Sequence, residues 1–152
     1  MAETTPQKDP AGFVPATERR IRHTMLRVRD LEKSLDFYTR LMGMTVFRRI
    51  DNEAGKFSIA FVGYGSEETH AAIELTYNWG RDDGYEHGDG YGHIAVCVDD
   101  VRAEHHRFQE IGLNPNDVKE FHRDGALMAR FFFVQDPDGY KIEVLERHGR
   151  YQ

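Results

Sequence analysis

HTMLRVRD, residues 23–30, and HIAVCVDD, residues 93–100, occupy the same positions of one pattern, 70 residues apart. In each a histidine heads a short apolar run, a valine (Val28, Val98) closes it, and an aspartate (Asp30, Asp100) follows. A compact apolar run reads as a strand, and an aspartate placed just before a helical periodicity reads as an N-cap. Leu31, Leu35, Tyr38 and Leu41 supply that periodicity after Asp30, and Val101, Phe108 and Ile111 supply it after Asp100. Gly43 and Gly112 then stop the helices.

Outward from each helix the chain turns β-rich. TVFRRI (45–50), FSIAFVGYG (57–65) and AAIELTYNW (71–79) follow the first, separated by polar turns. A weaker strand in NDVKEF (116–121), then LMARFFFV (127–134) and YKIEVLE (140–146), follow the second. One position fewer in the second helix changes the offset to 69, which pairs Gly43 with Gly112 and Glu74 of IEL with Glu143 of IEV. The order is β-α-β-β-β twice, an α+β class, with modules at 21–80 and 91–146. A repeat outranks local propensity in deciding a fold.

Composition limits what such a chain can do. At 152 residues it suits one compact unit. The formal charge of -6 argues against a nucleic-acid partner, which calls for a concentrated basic face. Mean hydropathy of -0.65, without any apolar run near the ~20 residues of a membrane span, argues against a membrane protein. Cys97 is the sole cysteine and reads as a small buried hydrophobe, which fits a reducing, cytoplasmic location. Residues 1–20, with Pro6, Pro10 and Pro15, read as a flexible or partner-clasping arm, and residues 147–152 as a tail.

The chemistry sits at the duplicated positions. Glu74 and Glu143 each stand between apolar neighbours in a strand, so alternation turns both to the face opposite those neighbours. Carboxylates are seldom buried without a partner. A lone strand histidine or glutamate is most often structural. Four at matched points of a repeat are a different matter, since they would meet if the halves paired about a pseudo-twofold axis. A divalent metal would offset the desolvation of two carboxylates. Nitrogen and oxygen donors without thiolate suit Ni²⁺, Co²⁺, Zn²⁺, Fe²⁺ or Mn²⁺. His70, His87, His105, His106, His122 and His148 lack duplicated counterparts and read as solvated.

HTMLRVRDLEKSLDFYTRLMGM, FSIAFVGYG, IELTYNWG, YGHIAV and DPDGYKIE together resemble glyoxalase I of the vicinal oxygen chelate superfamily. The resemblance runs over residues 21–146, a glyoxalase-like domain. It implies paired modules forming a curved mixed sheet around a metal site, with His23, Glu74, His93 and Glu143 as ligands. It also implies a homodimer with two sites at the interface, each built from the N-terminal pair of one subunit and the C-terminal pair of the other.

The implied reaction is isomerisation of the hemithioacetal of methylglyoxal and glutathione to S-lactoylglutathione. It proceeds through an enediolate whose oxygen a Lewis-acidic metal can stabilise. By the same resemblance Glu143 is the base that moves the proton, Glu74 can serve on the opposite face, and Arg27 and Asn78 hold glutathione. A guanidinium suits a carboxylate through two parallel hydrogen bonds; Asn78 could equally be a turn residue, and Trp79 core or pocket wall. The first ligand is histidine, and only 19 positions separate Glu74 from His93, features that resemble the nickel- or cobalt-activated bacterial class more than the zinc class. One divalent metal per site is implied.

The stretch NPNDVKEFHRDGALMARFF (114–132) departs from the resemblance: it mixes Lys119, Arg123 and Arg130 with Asp117, Glu120 and Asp124 where lysines and a glycine-rich loop are usual. Other readings remain: a related lyase, epimerase or thiol transferase on another substrate or thiol, or a sequestration module of the same fold. A module of that kind would not need all four ligands.

Overall fold

A computed structural model describes residues 19–152. Residues 1–18 of the expected arm lie outside the described part, and Arg20 donates from its guanidinium to the Glu67 carbonyl at 2.9 Å.

The first module comprises β1 (His23–Arg27), α1 (Leu31–Asp36), β2 (Thr45–Asn52), β3 (Phe57–Gly63) and β4 (Ala72–Asn78). The second comprises β5 (Ile94–Val98), α2 (Val101–Glu110), β6 (Lys119–Arg123), β7 (Ala126–Gln135) and β8 (Lys141–Glu146). Each module folds into one four-stranded mixed sheet, ordered β1-β4-β3-β2 and β5-β8-β7-β6. The topologies are equivalent: the first strand pairs parallel with the last, and the others are antiparallel.

Both helices begin as their sequence requires. Asp30 Oδ1 accepts from Lys33 N at 3.1 Å, and Asp100 Oδ1 accepts from Arg102 N and Ala103 N at 3.1 and 3.0 Å. They end differently. α1 widens after Asp36 into a π-helical turn over Phe37–Leu41, whereas α2 runs regularly to Glu110. The extra residue behind the change of offset is taken up by that turn, which keeps Phe37, Tyr38 and Leu41 buried and still delivers Gly43 in a left-handed conformation at φ 74°.

The sixth strand is the other departure. It begins at Lys119, three residues later than the reading of 116–121 at its start. Asn116 is held instead as a bracket on β7: its N–H donates to the Phe133 carbonyl at 3.1 Å, and its side-chain oxygen accepts from Phe133 N at 2.7 Å.

One apolar core joins the modules, with Leu26, Val28, Tyr38 and Leu75 from the first and Val101, Phe108, Phe132 and Ile142 from the second. Polar links reinforce it around the DPDG turn. Tyr38 donates to the buried Asp136 carboxylate at 2.6 Å, Arg29 N donates to Asp138 Oδ1 at 3.0 Å, and Tyr140 donates to the Arg27 carbonyl at 2.9 Å. Arg107 of α2 reaches the Leu41 carbonyl at 2.5 Å. Residues 147–152 turn back on the second sheet, where His148 and Tyr151 form an isolated bridge. Tyr151 brings its carbonyl to Cys97 Sγ at 3.5 Å, so Cys97 is half-buried at a polar contact rather than a purely apolar core residue.

Candidate metal centre

Alternation along β4 buries Ile73 and Leu75 on the helix-covered face and leaves Glu74 on the open face. The same logic in β8 buries Ile142 and Val144 and turns Glu143 outward. Parallel pairing sets His23 opposite Ala72 and Met25 opposite Glu74, so the head of β1 overhangs the glutamate. His23 Nε2 lies 3.0 Å from Glu74 Oε2, and His93 Nε2 lies 2.8 Å from Glu143 Oε2. Both glutamate side chains are 15% exposed, against 41% and 44% for the histidines. These are two copies of one half-site.

A further pair of residues, missed in the sequence, completes the duplication. Phe61 stands opposite Glu74 in the β3–β4 register, and Phe133 stands opposite Glu143 in the β7–β8 register. Each meets its histidine edge-on with ring centroids 5.3 Å apart. The signal was weak, because FSIAF and RFFFV are both aromatic-rich and the phenylalanine facing the ligand is set by cross-strand register.

The half-sites differ at the residue two positions beyond each glutamate. Thr76, two residues beyond Glu74 and on its face, donates to Glu74 Oε1 across 3.5 Å. The matching position beyond Glu143 is Leu145, which is buried and apolar.

Arg27 and Asn78 share the open face with the first half-site. Arg27 is opposite Thr76, two residues from Met25 and four from His23, and it is exposed. Among the described residues its guanidinium makes no hydrogen bond or ion pair within the chain. Asn78 ends β4, and its side-chain oxygen accepts from Tyr85 at 3.1 Å. Trp79 lies outside the apolar core: its indole N–H donates to Ser58 at 2.9 Å, beneath Lys56. In the departing stretch, Arg130 is committed to Glu120 at 2.9 Å and to Glu146 at 2.5 Å.

Two of the remaining histidines, His87 and His105, are half-buried rather than solvated, while His148 stays exposed. His87 stacks on Tyr140 with centroids 4.0 Å apart, and its Nε2 is buried without a hydrogen-bond partner. His105 Nε2 pairs with the Asn116 carbonyl at 2.8 Å, and His148 Nε2 with that of Leu127 at 3.0 Å. Turn and helix positions hide such contacts because the partner is distant in sequence.

The two half-sites stay apart within one chain. Among the described residues no group of three or more His, Cys, Asp or Glu side chains lies close enough to hold a metal ion. Each pair by itself fits half of a nitrogen- and oxygen-ligated divalent site, with one imidazole, one largely buried carboxylate and no thiolate. Among the described residues, both strands that lead from the histidines are unpaired at their outer edges. Residues of both, among them Thr24, Ile94 and Ala95, line a groove of about 790 Å³ between the modules.

Known proteins resemble this chain in sequence and in fold. The chain is 48% identical over 127 residues to the lactoylglutathione lyase of Escherichia coli O157:H7, covering 84% of this chain and 92% of that one. A probable lactoylglutathione lyase of Vibrio cholerae is 46% identical over 134 residues, covering 86% and 92%. Among solved structures, the trypanothione-dependent glyoxalase I of Leishmania major superposes with a TM-score of 0.71 at 40% identity, covering 84% of this chain and 86% of that one. Residues 20–144 match the Glyoxalase/Bleomycin resistance protein/Dioxygenase superfamily. With the module repeated twice, a His–Glu pair in each copy and relatives this similar over most of their length, the chain belongs to that superfamily and groups within it with the glyoxalase I enzymes.

Proposed function

We propose that this chain is a lactoylglutathione lyase, converting the hemithioacetal of methylglyoxal and glutathione to S-lactoylglutathione. The observation that carries the reading is the duplicated His–Glu half-site, on equivalent strands of a chain 48% identical to an enzyme of that name. His23, Glu74, His93 and Glu143 would hold one divalent metal per site, Ni²⁺ or Co²⁺ in preference to Zn²⁺. Such an ion supplies Lewis acidity for the negative charge that develops on substrate oxygen when the adjacent C–H is deprotonated.

The remaining work falls to side chains. Glu143 takes the proton from one carbon and returns it to the next, with Glu74 able to act from the opposite face. Arg27, unpaired among the described residues and on the face of the first half-site, grips a carboxylate of the thiol, and Asn78 offers its amide to the same ligand. Because the two pairs do not meet within a chain, the working unit is a homodimer in which each site joins the N-terminal pair of one protomer to the C-terminal pair of its partner. The edges of β1 and β5, unpaired among the described residues, favour a second copy there. A cytoplasmic location belongs to the same proposal; among the described residues no helix is long and apolar enough to cross a membrane.

The test is thioester formation from methylglyoxal and glutathione by metal-stripped protein reloaded in turn with Ni²⁺, Co²⁺ and Zn²⁺. Absence of turnover with every metal refutes the activity. Turnover with trypanothione but not glutathione would keep the reaction and reassign the thiol.

A further inference from the structure

We infer that Thr76 is a positioning residue that makes the two glutamates unequal, holding Glu74 as a fixed ligand and leaving Glu143 free to carry the proton. The inference rests on the site proposed above and deepens it, since the duplicated sequence by itself assigns the two carboxylates no different roles.

The half-sites match in their histidine, glutamate and phenylalanine contacts. In both, a glutamate Oε2 faces a histidine Nε2, at 3.0 and 2.8 Å, and a phenylalanine packs edge-on against that histidine. Glu74, however, has both oxygens engaged, because Oε1 also takes the Thr76 hydroxyl. That hydroxyl belongs to a residue only 7% exposed, and Glu74 is its only hydrogen-bond partner among the described residues. A buried hydroxyl without a partner is costly, so Thr76 and Glu74 hold one another. At 3.5 Å the bond is long, which makes its effect graded rather than absolute.

Glu143 has no such restraint. Leu145 takes the place of Thr76 and is 6% exposed, with no donor to offer, so Oε1 of Glu143 makes no hydrogen bond among the described residues. A carboxylate that accepts a proton must present an oxygen not already occupied by a donor. Glu143 can do so by a side-chain rotation; Glu74 must first break with Thr76. The step needs no co-reactant: the proton leaves one substrate carbon for Glu143 Oε1, its bonding pair stays with the substrate, and the same proton is delivered to the neighbouring carbon.

Thr76→Val keeps the shape and removes the donor, while Thr76→Ser keeps the donor. Titration of metal-free protein with Ni²⁺ should show affinity lowered about tenfold in Thr76→Val and near wild type in Thr76→Ser. The readout that a purely structural role would not move is epistasis with the base. Added to Glu143→Gln, Thr76→Val should raise the residual turnover about tenfold, because Glu74 is released to act. Should Thr76→Val fail to fold, Thr76→Ala against Thr76→Ser carries the same comparison. If wild-type protein binds Ni²⁺ but the hydroxyl-free variant binds it equally well and gives no gain over Glu143→Gln, the role of Thr76 is overturned and the metal site stands. If wild-type protein binds no Ni²⁺, both fall together.

Discussion

Two inactive variants should restore activity when their protomers are mixed. One carries His23→Ala and Glu74→Gln, so its N-terminal half-site is dead; the other carries His93→Ala and Glu143→Gln, so its C-terminal half-site is dead. Neither homodimer contains a complete quartet. In a mixed dimer with shared sites, one site joins the two damaged halves and the other joins the two intact halves. Random exchange makes about half of all dimers mixed, and half the sites in those are complete, so the mixture should recover about one quarter of wild-type turnover.

Bound Ni²⁺ per protomer should recover in the same proportion, which separates loss of metal from loss of chemistry. Native mass spectrometry would establish that mixed dimers have formed. If they form and turnover stays at the level of the parents, the shared-site arrangement is wrong. The estimate follows from the separation of the two half-sites within a chain, since a quartet assembled inside one protomer would predict no recovery.

Arg27→Ala should raise KM about 10- to 100-fold with kcat little changed, the loss of a charge-assisted bond to the thiol; a fall in kcat at constant KM would assign Arg27 another role. Tyr38→Phe removes the only side-chain donor to the Asp136 carboxylate among the described residues and should lower unfolding free energy by about 1–3 kcal/mol, measured in urea. Burial holds the Asp136 pKa above its ordinary value of 3.8 despite the donors around it. A raised folded-state pKa contributes stability that is fully present below the unfolded value and is lost as pH rises through the folded value. The stability of wild type relative to Asp136→Asn should therefore decline as pH rises through the carboxylate range, and a difference that grows with pH would contradict the burial argument. Chelation should lower the melting temperature as well as abolish turnover, and added Ni²⁺ should restore both.

Much of this molecule can be read along the chain because the relevant physics is local. Alternation places Glu74 and Glu143 on the face opposite Ile73, Leu75, Ile142 and Val144, and the aspartate caps and glycine stops bound both helices. Even the π-helical turn had a trace, as the single step from an offset of 70 to one of 69, although a step in register does not say how a helix will absorb it. The strand at Lys119 was misplaced because Asn116 spends its hydrogen-bonding capacity on Phe133, a residue in another strand.

The sequence by itself determined the repeat, the four ligand candidates and their division into two like pairs. Tertiary structure decided what lies across from them: Phe61 and Phe133 against the histidines, Asp136 beneath Tyr38, and His87 stacked on Tyr140. Those contacts depend on strand register and on how one module docks against the other, which no local periodicity encodes. The same is true of the separation of the pairs. Duplication says that two half-sites exist, and only the packing of the modules shows that a chain keeps its own two apart. The contrast between Thr76 and Leu145 lies between these cases: both residues are plain in the sequence, but the hydroxyl matters only because β4 turns it onto Glu74 in a place closed to water.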